Sequence, residues 1–161
     1  MHVYKTEDYL NPNETIYITK TSDSCSEPIH THDFIEIVYI LSGKMTHMID
    51  GQQYEVRSGD ILFMNYGCTH SFSATAEYSY INLLFSPEHI GEDLLSSPNA
   101  FILLSFSVFN DICREINYGK STFWGSEKKE IEDILFSMLN EYQYKKTMYM
   151  VLVHSLSKML L

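Results

Sequence analysis

Residues 30–70, HTHDFIEIVYILSGKMTHMIDGQQYEVRSGDILFMNYGCTH, decide the fold. Glycines stand at positions 43, 51, 59 and 67, one every eight residues, with runs rich in Ile, Val, Tyr, Phe and Met between them. Regular punctuation of β-prone runs predicts a sandwich or barrel of short antiparallel strands. Asp50-Gly51 is the strongest turn signal, because both residues tolerate the positive φ that a two-residue hairpin loop demands.

Outward from this stretch, the whole chain has 161 residues, enough for one domain with a substantial core and too few for two. It has 11 Lys and Arg against 21 Asp and Glu, a formal charge of −10, with no basic run longer than Lys128-Lys129 or Lys145-Lys146. A phosphate-binding surface needs clustered cations, so this chain alone is not expected to hold nucleic acid. There is no charged-then-apolar leader and no apolar run of spanning length, so nothing argues for secretion or a membrane span. Cys25, Cys68 and Cys113 are odd in number and far apart, so free thiols in a cytoplasmic protein are the simplest account.

Alternation assigns faces along the strands. Residues 15–19 (TIYIT) read as a first strand, preceded by an arm, residues 1–14, with turn chemistry. In 30–41, His30, His32, Glu36, Val38 and Ile40 share one face, while Ile35, Ile37, Tyr39 and Leu41 share the other. Apolar residues on both faces predict a strand covered on both sides. In 78–85, Tyr78, Tyr80 and Asn82 oppose Ile81, Leu83 and Phe85, and the aromatic-polar face suits either a pocket wall or solvent. Residues 91–99 read as a loop or short helical turn and 101–109 as another apolar strand. Trp124, the lone tryptophan, reads as a core plug.

From Ser126 the period changes to 3.6. Ile131, Ile134, Leu135, Met138, Leu139 and Tyr142 form one apolar stripe, and Met148, Val151, Leu152, Leu156, Met159 and Leu160 a second. Ser126 is the expected N-cap, with Glu127 and Glu130 at the positive end of the dipole. A break near residues 143–146 would give two antiparallel helices. The final residues carry no helix-stop signal.

Three histidines and a glutamate carry the chemistry: His30-x-His32-x3-Glu36-x6-Gly43, then Gly59-Asp60, then His70. Imidazole and carboxylate together suit a divalent transition metal such as Zn, Ni, Fe, Mn or Cu; a polar interior of hydrogen-bonded histidines is the plain alternative. On a straight strand His32 and Glu36 would stand roughly 13 Å apart at about 3.3 Å per residue, so shared coordination requires a bend or bulge at Asp33-Phe34. Cys68 reads as a turn thiol, and His47, in mid-strand, lines a pocket or faces water.

This pattern resembles the two motifs of the cupin superfamily, with Asn65 where proline is usual and Ala74 where asparagine is usual. The resemblance implies a mainly β, double-stranded β-helix (jelly-roll) barrel, with His30, His32, Glu36 and His70 at the metal positions. Barrel plus helix pair is similar to the N-terminal sensing domain of AraC-type transcription regulators. That likeness implies an arm and first strand (1–27), a cupin barrel (28–125) and a helical dimerisation segment (126–161). It also implies a small effector in the barrel, a homodimer, and DNA binding only through a C-terminal helix-turn-helix domain outside this chain. The pocket is expected at Val38, His47, Phe72, Tyr80 and Asn82, with residues 1–14 as a lid. The dimer surface is expected at Ile131, Leu135, Met138, Leu139, Leu152, Leu156 and Met159, with one stripe packing on the barrel. The rival reading is a small metal-dependent cupin enzyme, a dioxygenase, isomerase or lyase.

Overall fold

A computed structural model describes residues 1–86 and 120–160. The loop expected at 91–99, the strand expected at 101–109 and Cys113 lie outside the described residues. Among the described residues there are ten strands: β1 (His2–Tyr4), β2 (Ile16–Asp23), β3 (Glu27–His32), β4 (Ile35–Ser42), β5 (Lys44–Ile49), β6 (Gln52–Arg57), β7 (Asp60–Met64), β8 (His70–Ser73), β9 (Tyr78–Phe85) and β10 (Lys120–Thr122). Two α-helices follow β10, α1 (Gly125–Tyr144) and α2 (Tyr149–Leu160).

The strands form two five-stranded sheets, ordered β1-β3-β8-β5-β6 and β10-β7-β4-β9-β2. Among the described residues the two sheets face each other without closing edge to edge, consistent with the jelly roll that the resemblance implied. Pairings are antiparallel except β1 with β3, which run parallel. The glycine beat is a turn beat. Asp50 and Gly51 take φ of 45° and 80°, and Ile49 pairs with Gln52 across the two-residue loop. Gly43, at φ 86°, has a second constraint, because a Cβ there would stand 2.7 Å from the Glu77 carbonyl oxygen.

Two apolar clusters follow from the strand faces. Val38, Ile40, Leu62, Met64 and Tyr78 of the second sheet meet Met45, Ile49 and Val56 of the first, inside the sandwich. On the second sheet's outer face, Ile16, Ile18, Ile37, Tyr39, Ile81, Leu83 and Phe85 pack against Leu135, Met138, Leu139, Tyr142 and Val153. Strand β4 is therefore covered on both sides, as its composition demands. Tyr39, fully buried, donates its hydroxyl to Glu132 of α1 at 3.1 Å.

The helices correct several expectations. Helix α1 starts at Gly125, with extended Trp124 as N-cap, so Ser126 lies inside the first turn beside Glu127. Trp124 is 56% exposed and lies under the Arg57 guanidinium at 4.9 Å, so it is no core plug. Leu135, Met138 and Leu139 belong to the protomer's own core, which removes them from a dimer surface. Ile131 and Leu156 pack part-buried on the same core. Leu152 and Met159 face outward with Met148 and Val151. Helix α1 ends at Tyr144; the next residue, Lys145, caps it at a left-handed φ of 45° that turns the chain, and α2 packs back on α1.

Candidate functional site

The bend required between His32 and Glu36 is present. Strand β3 ends at His32 and β4 begins at Ile35, with Asp33-Phe34 as the corner. The arm pins that corner: the Thr6 amide and hydroxyl donate to Asp33 Oδ1 at 2.7 and 2.6 Å, and the Asp33 amide donates to the Tyr4 carbonyl at 3.3 Å. Turning there passes the chain from the first sheet to the second. His32 and Glu36 then face each other across the sandwich, Nε2 to Oε2 at 3.5 Å. His70, the first residue of β8, brings its Nε2 to 3.3 Å from the same carboxylate oxygen.

These three groups sit in a cavity of about 210 Å³ between the sheets. All five expected pocket residues, Val38, His47, Phe72, Tyr80 and Asn82, line it, as do His30, His32, Glu36 and His70. The arm supplies Tyr4 and Tyr9, and Tyr17, Thr19, Thr21, Glu27, Phe34, Met45 and Leu84 complete the wall. At about 30 Å³ per water, this space matches roughly seven waters, which suits a small ligand.

Three ligand atoms converge: His32, Glu36 and His70 each offer one within 4.8 Å of the other two. His32 Nε2, Glu36 Oε2 and His70 Nε2 are buried without a hydrogen-bond partner. Buried polar atoms left unpaired are costly, and a shared cation satisfies all three at once. His32 Nδ1 lies 2.6 Å from the Phe34 carbonyl, which can only accept, so Nδ1 carries the proton and Nε2 presents its lone pair inward. His70 Nδ1 contacts His47 Nε2 at 3.1 Å, a second imidazole orienting the first. Asn82 Nδ2 donates to Glu36 Oε1 at 2.6 Å, holding the carboxylate's other oxygen. His30 stands aside. Its Nδ1 is 2.9 Å from the Pro28 carbonyl and its ring 4.0 Å from that of His70, and it is not among the three convergent groups.

Burial governs the protonation states. It pushes Glu36 up to about 7 against the lowering effect of Asn82. It pulls His32 and His47 down to about 4, and His70 to about 2 with help from His30, His47 and His32. At neutral pH the site thus holds neutral imidazoles around a carboxyl group that readily takes a proton, or an ion in its place.

A family model for the AraC-like ligand binding domain matches residues 11–117. The chain belongs to that family. This AraC-like domain is 28% identical over 61 residues to the HTH-type transcriptional activator RhaR of Escherichia coli (strain K12), a match covering 38% of the chain and 22% of RhaR. The chain thus spans about a fifth of the length of the curated relatives it matches. A conserved protein of unknown function from Streptococcus pyogenes has a similar structure, at TM-score 0.44 and 24% identity, over 53% of this chain and 81% of that one. An RmlC-like cupin from Shewanella frigidimarina matches at TM-score 0.44 and 17% identity, over 45% and 68%.

Sequence reasoning missed Tyr4, Tyr9, Tyr17, Glu27 and Phe34 as wall residues of the AraC-like domain. Aromatics in an otherwise polar arm were the available signal for Tyr4 and Tyr9. Their position depends on the parallel β1–β3 pairing, which no local pattern announces. Among the described residues, no helix is long and apolar enough to cross a membrane.

Proposed function

We propose that this AraC-like domain is the cytoplasmic sensing and self-association module of a transcription regulator, binding a small effector in the cavity between its sheets. One observation carries the proposal: unpartnered His32, Glu36 and His70 atoms converge in a small, largely enclosed space that the N-terminal arm covers. His32, Glu36 and His70 would hold one divalent transition metal, and a bound ion would supply an electrophilic anchor for an oxygen or nitrogen of the effector. Around it, Asn82 fixes the carboxylate, His47 orients His70, and Tyr80 and Phe72 offer ring faces to the ligand. A homodimer would form through the outward face of α2, at Leu152 and Met159, and DNA binding would belong to a helix-turn-helix domain elsewhere in the regulator.

Two imidazoles and one carboxylate are also the ligand set of non-haem iron oxygenases, which keeps a metal-dependent enzyme as the second reading. The sensor reading is favoured by family membership and by Glu27, the other carboxylate lining the cavity. The Tyr4 hydroxyl holds it at 2.7 Å, an arrangement suited to closing a lid. The test is a thermal-unfolding screen of the untagged chain with sugars, organic acids and aromatics, with and without Zn²⁺. An effector at 100 times its Kd stabilises by about 2.7 kcal/mol. Turnover of a stabilising compound in the presence of Zn²⁺ or Fe²⁺ would replace the sensor by the enzyme.

A further inference from the structure

The arm and the helix pair meet at one buried carboxylate. Glu14, at the arm's end, is 7% exposed. It accepts from the Tyr142 hydroxyl at 2.9 Å, the Tyr149 hydroxyl at 2.6 Å and the Lys145 ammonium at 2.7 Å. Asn11 adds its backbone and side-chain amides at 3.3 and 2.9 Å. Tyr142 lies in the last turn of α1, Lys145 at the left-handed stop and Tyr149 at the start of α2, so one carboxylate grips both sides of the elbow. Thr15 adds a contact of 2.9 Å from its hydroxyl to His154 Nε2 of α2. Burial alone would raise the Glu14 carboxyl, but its donors outweigh burial and hold it at about 2.

The same arm also walls the cavity. The Tyr9 ring packs 5.7 Å from Phe34, whose ring stacks on His32 at 4.5 Å. On its other side Tyr9 meets Tyr17 at 5.7 Å, and Tyr17 meets Tyr142 at 5.7 Å. A row of rings thus runs from the cavity wall to the residue that donates to Glu14.

We propose that Glu14 is a clasp that makes the setting of the α1–α2 elbow depend on whether the arm lies closed over the cavity. A buried charge whose donors come from two elements is costly to leave half-paired, so arm and elbow loosen together. Such coupling is reciprocal, and a change at the elbow must reach the arm. The clasp stands independently of any metal at the triad.

Hydrogen exchange by mass spectrometry on the whole chain tests this, comparing the unmodified protein with Glu14→Gln and Tyr149→Phe. Tyr149→Phe removes one hydroxyl from the elbow. Exchange in residues 2–9 and in residues 145–152 is expected to quicken together by about 10-fold, the effect of one lost bond to a charged group. Glu14→Gln should do the same more strongly, while hairpin 44–57 keeps its protection. If Glu14→Gln loosens that hairpin too, Tyr149→Phe alone decides. Faster exchange confined to 145–152 in Tyr149→Phe, with the arm unchanged, overturns the clasp.

Discussion

His32 Nε2 lies 3.5 Å from Glu36 Oε2 although one residue ends a strand of the first sheet and the other is the second residue of a strand of the second. The Asp33-Phe34 corner converts a four-residue separation along the chain into contact across the sandwich. Because neither atom has a hydrogen-bond partner, both are available to an ion, and removing either should weaken ion binding. Titration calorimetry of the untagged protein with Zn²⁺ should give one ion per chain. His32→Ala and Glu36→Gln should weaken it by more than the roughly 10–100-fold typical of outer-shell partners. Unchanged affinity in both variants would refute the triad.

Asn82 is such an outer-shell partner, donating to Glu36 Oε1 at 2.6 Å and lowering its pKa. Asn82→Leu should raise the Glu36 pKa above its present value of about 7, so a proton competes harder with the ion. Zinc affinity should drop about 10-fold at pH 7 and by less at pH 8.5. A loss that does not depend on pH would point to distorted geometry instead.

Acid should destabilise the metal-free protein. An unfolded histidine takes its proton near 6.5, whereas folded His32 and His47 resist until about 4 and His70 until about 2. Between about 4.5 and 6.5 the unfolded state binds more protons at these sites, so stability rises with pH. Glu36 works the other way: its folded pKa of about 7 exceeds the ordinary 4.5, so its contribution is present below 4.5 and lost by 7. Three histidines outweigh one carboxyl, giving a slope of at most about 2–3 kcal/mol per pH unit in that window. Urea midpoints measured from pH 7 to 4.5 check the slope, and His47→Gln should flatten it.

The turn glycines differ in what a methyl group would cost. Gly51 has nothing within 4 Å of a built Cβ, so Gly51→Ala meets only the left-handed backbone penalty, about 1 kcal/mol. Gly43→Ala adds a clash with the backbone at Glu77 and Tyr78 and should cost roughly 3 kcal/mol. Denaturant unfolding of the two variants side by side gives the difference. Equal losses would mean the strand crossing at Gly43 can yield.

On the helices, burial separates core from contact surface. Leu135→Ala empties a fully buried site and should cost about 2–5 kcal/mol. Leu152→Glu with Met159→Glu changes residues 46% and 69% exposed, so stability should stay within about 0.5 kcal/mol per site. Sedimentation velocity should show the double variant monomeric where the unmodified chain associates. A double variant that still associates would move the interface off α2.

Much of this was legible in the chain. The eight-residue glycine beat located the turns because a tight turn is a local demand on φ, visible wherever Gly follows Asp or Ser at that spacing; only the turn at Gly51 closes a hairpin, and those at Gly43, Gly59 and Gly67 carry the chain from one sheet to the other. Alternation in 30–41 and 78–85 assigned the faces correctly, and Tyr80 and Asn82 proved to line the cavity rather than face solvent. The helical period located both helices but could not say what each stripe touches, since a stripe buried in the protomer and one meant for a partner have the same spacing. Leu135 and Leu152 therefore looked equivalent until the fold separated them.

Turn chemistry, periodicity and side-chain identity are local properties, and from them alone came the short antiparallel strands, the helix pair and the metal-capable residue types; the jelly-roll arrangement came from the family resemblance. The packing of the two sheets brings His32, Glu36 and His70 together and leaves His30 aside. Packing likewise lays the arm parallel to β3 over the cavity and joins it to the elbow through Glu14. Those are distances between residues remote in the chain, set by how two sheets and a helix pair pack.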